Sequence, residues 1–277
     1  MFLIRWRVFR RILRIRLVCI IAISVFPRFA WSQVVEFDLR LQNTASSIVV
    51  DAQVEGALPM TLNGASYEWR VESSVPVIVE GERFRLAVGS FGSFAVKRVR
   101  LSFVGMGSKA QQNVVAEAYP LTATPSSELF ALAESFAGLS YQEKVRAIYG
   151  WMVGNIKFTG IDRQVEGATY ALSKKAGDCT EHMLLAGELL ARNGVTVRRV
   201  LGFVSTSIDE RLTSGDLHDW LEVYDGGRWI VVDSSYIFYD DASASRRYVG
   251  AHYYVNEKDL RYQLFTPSDN RLRVFLD

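Results

Sequence analysis

The sequence holds two cysteines and three histidines: Cys19, Cys179, His182, His218 and His252. Cys179 follows Asp178 and is followed by Thr180-Glu181. An N-cap acid with a glutamate three residues later predicts a helix whose first residue is Cys179. A thiol there lies among unpaired backbone N–H groups at the positive end of the helix dipole. That field is worth up to about 2 kcal/mol, or roughly 1.5 in pKa. It is too small to ionise a thiol of pKa about 8.5 completely at neutral pH. A second positive charge is needed, and an imidazolium is the usual source.

His218 has the best geometric claim to that role. Asp225-Gly226 is a strong hairpin signal between Leu217–Tyr224 and Arg228–Val232. Taken as a two-residue turn, it sets Tyr224 opposite Gly227 and His218 opposite Asp233, with Cβ atoms about 5 Å apart. Asp233 would then orient the imidazole. The same pairing puts Leu221, Val223, Ile230 and Val232 on an apolar face. His218, Trp220, Glu222, Trp229 and Asp233 share the other. His182, one turn along the Cys179 helix, is an accessory candidate, and so is Trp220, read as pocket wall or core. His252, beside Tyr253-Tyr254, reads as packing. Cys179, His182, His218 and Asp233 could also supply four metal ligands, but a lone cysteine and an i,i+3 pair fit the usual spacings poorly. No metal and no cofactor are expected.

The elements that must position these residues divide the chain. Residues 1–32 begin with six arginines between Arg5 and Arg16. A ten-residue apolar run, Leu17 to Phe26, follows, and Ala30-Trp31-Ser32 has small residues at the −3 and −1 positions before Gln33. This is the order of a secretory signal peptide, and ten residues are half of what a membrane span needs. Its removal takes seven of the 32 Lys+Arg and none of the 30 acids, leaving 25 basic against 30 acidic residues, a formal charge of −5. A nucleic-acid partner loses its bulk support. The mature chain keeps one cysteine, which cannot form an internal disulfide in the oxidising compartment export implies. The expected location is periplasmic or extracellular, with no stable membrane span in the mature chain.

Residues 33–117 read as a β-sandwich. Val35, Phe37, Leu39 and Leu41 alternate with polar residues, Ile48, Val50, Ala52 and Val54 repeat the pattern, and Phe84–Val88 and Val99–Phe103 continue it. Gly105–Gln112 reads as a linker. In residues 118–277 a capping box at Ser140 and Glu143 opens a helix ending near Asn155. The Cys179 helix runs to a C-cap at Asn193-Gly194, and Val195–Phe203 returns to strand.

The blocks Lys175-Ala176-Gly177-Asp178-Cys179-Thr180-Glu181-His182, His218-Asp219-Trp220-Leu221-Glu222-Val223 and Trp229-Ile230-Val231-Val232-Asp233 together resemble the core of the bacterial transglutaminase-like family. The stretch from Asn193-Gly194 to Gly202-Phe203-Val204 resembles that family's helix end and following strand. The likeness runs from about residue 120 to 265. It implies an α+β fold of the papain/transglutaminase-like kind, a Cys-bearing helix packed on an antiparallel sheet, preceded by a small sandwich. It also implies that Cys179 is the nucleophile, His218 the general base and acid, and Asp233 its orienter. Where the family commonly has Pro-Thr after the Asp, this chain has Ser234-Ser235. The implied activity is acyl transfer through a thioester, hydrolysing peptide or amide bonds in peptides, proteins or cell-wall peptide stems. Protein cross-linking, or a binding module that kept the fold without turnover, are the alternatives.

Overall fold

A computed structural model describes residues 33–109, 119–160, 164–207, 211–241, 245–253 and 264–277. The expected signal segment, 1–32, and the expected boundary at 117/118 lie outside the described residues. The fold is α+β, and the described residues from Gln33 to Asp277 belong to one compact unit.

Two four-stranded sheets form the sandwich. One has the order Leu272–Leu276, Gln33–Asn43, Val96–Ser108, Tyr67–Ser73, and the other Phe265–Pro267, Val49–Ala57, Arg83–Phe91, Val77–Glu80. Val35, Phe37, Leu39 and Leu41 alternate inward as strand periodicity requires, and they share a core with Val54, Phe84, Leu86, Leu101 and Phe103. The second run departs from its expected pattern. Val49 and Ala52 are buried, while Ile48 and Val50 are 63% and 68% exposed. The register against Arg83–Phe91 shifts on both sides of Ala52, and Asp51 has φ 48°. This β-bulge reverses the alternation, which a strict period of two cannot anticipate. The first part of the expected linker is strand instead, since Gly105–Ser108 pairs with Tyr67–Trp69.

Four helices are described: Ser127–Glu134, Tyr141–Asn155, Ala168–Lys174 and Cys179–Arg192. Both expected capping boxes form. None of the described helices is long and apolar enough to cross a membrane. The Cys179–Arg192 helix is buried from Cys179 through Leu190. Leu184, Leu185 and Leu189 pack with Leu221, Val223, Ile230 and Val232, the apolar face expected of the hairpin.

The helix covers a six-stranded antiparallel sheet of order Phe238–Tyr239, Trp229–Asp233, Leu217–Tyr224, Val197–Ser205, Arg247–Tyr253, Thr61–Leu62. The two regions exchange strands. Thr61–Leu62, from the sandwich segment, closes one edge of this sheet, while Phe265–Pro267 and Leu272–Leu276 return to the two sandwich sheets. The 118–277 segment therefore builds part of the sandwich as well as the helix-covered sheet.

Candidate functional site

Asp178 caps the Cys179 helix. Its Oδ1 accepts from the N–H of Thr180 at 2.7 Å and of Glu181 at 3.4 Å, and Glu181 Oε2 accepts from the Asp178 N–H at 3.3 Å. Glu181 Oε1 accepts in turn from the Glu166 N–H at 2.9 Å, fastening the preceding loop to the helix start. Burial, with help from Asp178, pushes the Glu181 carboxyl up to about 7. Cys179 is 7% exposed, and the Asp219 backbone hydrogen-bonds to its sulfur. That bond brings the thiol to the strand residue next to His218.

The environment of the thiol opposes the helix field. Burial pushes its pKa up, and the carboxylates of Asp219, Asp178 and Asp233 add to the effect. The Asp219 bond pulls the other way but is the smaller influence. Burial and the neighbouring carboxylates together favour the protonated thiol over the thiolate. Helix position alone points to a lowered pKa, because Asp219 and Asp233 join the adjacent Asp178 at the thiol only in the fold.

His218 Nε2 lies 2.8 Å from Asp233 Oδ2, and both side chains are buried. The hairpin that brings them together differs from the expected one. Asp225 and Arg228 pair, with Gly226-Gly227 as the turn, and Tyr224 faces Trp229. The pairing moves by two residues relative to a turn at Asp225-Gly226. Because side chains alternate with a period of two, a two-residue shift leaves every side chain on its face. His218 and Asp233 become diagonal neighbours instead of direct ones, still within reach.

Asp233 is saturated with donors. Tyr248 donates its hydroxyl to Oδ2 at 2.9 Å. Oδ1 accepts from the Ser235 hydroxyl at 2.6 Å, the Ser235 N–H at 2.9 Å and the Tyr236 N–H at 3.2 Å. Burial alone would raise this carboxyl, but the bonds from His218, Ser235 and Tyr248 outweigh it and hold it below the usual carboxylate range. The imidazole is clamped by stacking, with Tyr236 at 4.0 Å and 9° and Trp220 farther off at 6.4 Å and 18°. Trp220 is 1% exposed, and its Nε1–H has no partner among the described residues. Its indole lies across Gly202, where any Cβ would collide with the ring and with the Val249 carbonyl.

His182 is buried, with Nδ1 2.9 Å from the Ser234 hydroxyl and its ring edge-on to Phe158. Burial lowers its pKa. It therefore sits behind the strand end that carries Asp233. Ser234 and Ser235 both carry hydroxyls that are used here, the first toward His182 and the second toward Asp233. His252 is half-buried beyond the site, in the Arg247–Tyr253 strand. Among the described residues, no group of three or more His, Cys, Asp and Glu is placed to hold a metal ion.

Sequence reasoning missed several residues here. Asp219 lies on the helix-facing side of its strand with Leu221 and Val223, and its parity alone marks it as a carboxylate on a core face. Tyr248 reaches Asp233 on the same face of the sheet from a strand two others away, with no local signal. Glu222, on the histidine face, is 0% exposed. Its Oε1 accepts from the Thr61 hydroxyl at 2.8 Å and its Oε2 from Arg198 Nε at 2.7 Å, while the Arg198 guanidinium lies over Trp229 and Tyr253. This pair joins the sandwich segment to the strand bearing His218.

Residues 131–234 match the family model of the transglutaminase-like superfamily. No curated protein matches the sequence significantly. Among solved structures, a candidate cysteine protease from Cytophaga hutchinsonii is similar at 13% identity and TM-score 0.45, over 88% of this chain and 90% of that one. The periplasmic domain of TgpA from Pseudomonas aeruginosa is similar at 12% identity and TM-score 0.41, over 73% and 88%. Calcium-bound LapG from Legionella pneumophila is similar at 15% identity and TM-score 0.35, over 42% and 65%.

Proposed function

We propose, from the transglutaminase-like segment 131–234 and the side chains it gathers, that the chain is an exported cysteine-dependent acyl-transfer enzyme that hydrolyses peptide or amide bonds. The observation that carries this reading is the His218–Asp233 contact at 2.8 Å, on a strand whose next residue bonds the Cys179 sulfur.

In this mechanism Asp233 holds His218 through Nε2, leaving Nδ1 as the base. As the sulfur attacks the carbonyl, Nδ1 takes the thiol proton, and the Asp233 charge stabilises the imidazolium. The Cys179 backbone N–H is the candidate donor to the developing oxyanion. His218 returns the proton to the leaving amine and a thioester remains. Water then attacks while His218 accepts its proton, and the acid and the thiol are released. General-base transfer suits a thiol that its surroundings hold protonated better than a preformed ion pair does. His182, bonded to Ser234, acts as a positioning residue, and Trp220 as a wall behind the imidazole.

The test is profiling of the folded protein with electrophilic amide and peptide mimics, followed by mass spectrometry of adducts and released products. Labelling at Cys179 that is lost in His218→Ala, with acid and amine released from an amide substrate, is the expected result. Equal labelling of wild type and His218→Ala, with no product from any peptide or amide, would leave a fold without turnover.

A further inference from the structure

The His218 block holds two carboxylates outside the triad: Glu222 is neutralised by Arg198, whereas Asp219 lies beside the thiol. Asp219 is 6% exposed, on the face covered by the Cys179 helix. Oδ2 accepts from the Thr180 hydroxyl at 2.6 Å, so the residue after Cys179 is tied to the residue after His218. Oδ1 is buried and has no hydrogen-bond partner among the described residues. The Asp219 backbone reaches the sulfur. A buried carboxylate oxygen without a donor is costly, and its field acts at close range on the adjacent thiol.

We propose that Asp219 is a positioning residue of the reaction: it locks the start of the Cys179 helix to the His218 strand through Thr180, and its charge restrains ionisation of the neighbouring sulfur until a base removes the proton. This rests on the cysteine-enzyme reading above and adds a control on the nucleophile. The groups facing Asp219 are Asp178 and Cys179 from the helix start, His218 from its own strand and Asp233 from the next. Burial, opposed by the Thr180 bond and the His218 charge, pushes the Asp219 carboxyl up to about 6. Below that pH the restraint relaxes, and above it the thiol is held back. A lone thiol in an oxidising compartment is thereby kept unreactive toward casual electrophiles, while His218 can still deprotonate it in concert with attack.

The experiment is the rate of Cys179 alkylation by iodoacetamide against pH, on folded full-length protein, with intact-mass detection. In wild type the logarithm of the rate should rise with pH, flatten near pH 6 as Asp219 ionises, then rise again. Asp219→Asn should abolish the flattening and alkylate at least tenfold faster at pH 7.5. A merely structural residue would change folding without reshaping this profile. If Asp219→Asn does not fold, Thr180→Val carries the test. Loss of the hydroxyl that steadies the ionised carboxylate should move the bend to higher pH. An Asp219→Asn profile superimposable on wild type, or a bend unmoved by Thr180→Val, would overturn the proposal. Failure of the enzyme reading would show elsewhere, as His218→Ala acylating as fast as wild type.

Discussion

Asp233→Asn is the most searching perturbation of the site, because the five donors around Asp233 dictate how the amide must sit. Ser235 N–H, Ser235 Oγ–H and Tyr236 N–H all point at Oδ1, so the amide oxygen has to take that place. The amide nitrogen then replaces Oδ2, facing His218 Nε2 and the Tyr248 hydroxyl. Tyr248 can rotate its hydroxyl and accept. His218 can accept only by moving its proton to Nδ1, and a protonated Nδ1 cannot take the thiol proton. The imidazolium also loses its counter-charge. Where this substitution puts a triad imidazole into the wrong tautomer, the loss is about 10⁴-fold, and that is the size expected here. Stability should fall by about 1.5–3 kcal/mol, the worth of a hydrogen bond to a charged group, leaving the protein folded. The assay is single-turnover acylation of Cys179 by an activated ester, followed by intact mass, alongside urea unfolding. Acylation within tenfold of wild type, with His218→Ala strongly impaired, would refute the orienting role of Asp233.

Glu222→Gln should destabilise far more than a surface change, by about 3–5 kcal/mol, because it leaves Arg198 buried without its counter-charge; urea unfolding measures this, and a loss under 1 kcal/mol would mean the pair is solvated. Stability should also depend on pH in an unusual direction. Asp219 and Glu181 are raised in the folded state, to about 6 and about 7, so the folded chain binds more protons than the unfolded one above the ordinary carboxylate range. Their contribution is therefore lost as pH rises toward 6 and 7, whereas that of Asp233, lowered in the folded state, is lost only as pH falls below the ordinary value. His182, lowered by burial, opposes Asp219 and Glu181 as pH falls through the ordinary imidazole range. With two raised carboxyls against one lowered imidazole, the urea midpoint should be higher at pH 5 than at pH 7.5, and the reverse order would contradict these assignments. Protein recovered from an exporting host should have an intact mass lacking residues 1–32, and retention of Met1–Ser32 on a membrane fraction would make it an anchored ectodomain.

What could be read in the sequence was what local physics determines. The capping boxes at Ser140 and Asp178 are local patterns, and both helices begin where those patterns require. Hairpin parity is nearly local too. The turn was placed one residue early, yet the faces were right, because any two-residue change of pairing preserves them. The bulge at Asp51 was hidden, since it shows only as a positive φ in a residue that usually avoids one. The exchange of Thr61–Leu62 and Phe265–Leu276 between sheets was hidden for another reason. Strand pairing across some two hundred residues leaves no mark on either strand's own pattern.

The carboxylates explain why the site could be half seen. Sequence spacing brings His218 to Asp233 because fifteen residues and one turn connect them. It says nothing of which charges approach Cys179 from other elements. Asp219 and Asp233 reach the thiol from two strands and join the adjacent Asp178, and together with burial they push its pKa up, against the direction of the helix dipole. If the chain is the cysteine enzyme proposed above, the same crowding makes the imidazole indispensable. A nucleophile in a field of negative charge ionises only if its proton is handed to a neighbour whose positive charge that field welcomes. In the proposed mechanism that neighbour is His218, held by a carboxylate already fixed by Ser235, Tyr236 and Tyr248. On that mechanism the acids that suppress the free thiolate also favour the imidazolium formed during attack, so one arrangement would keep the thiol quiet at rest and reactive toward a bound carbonyl.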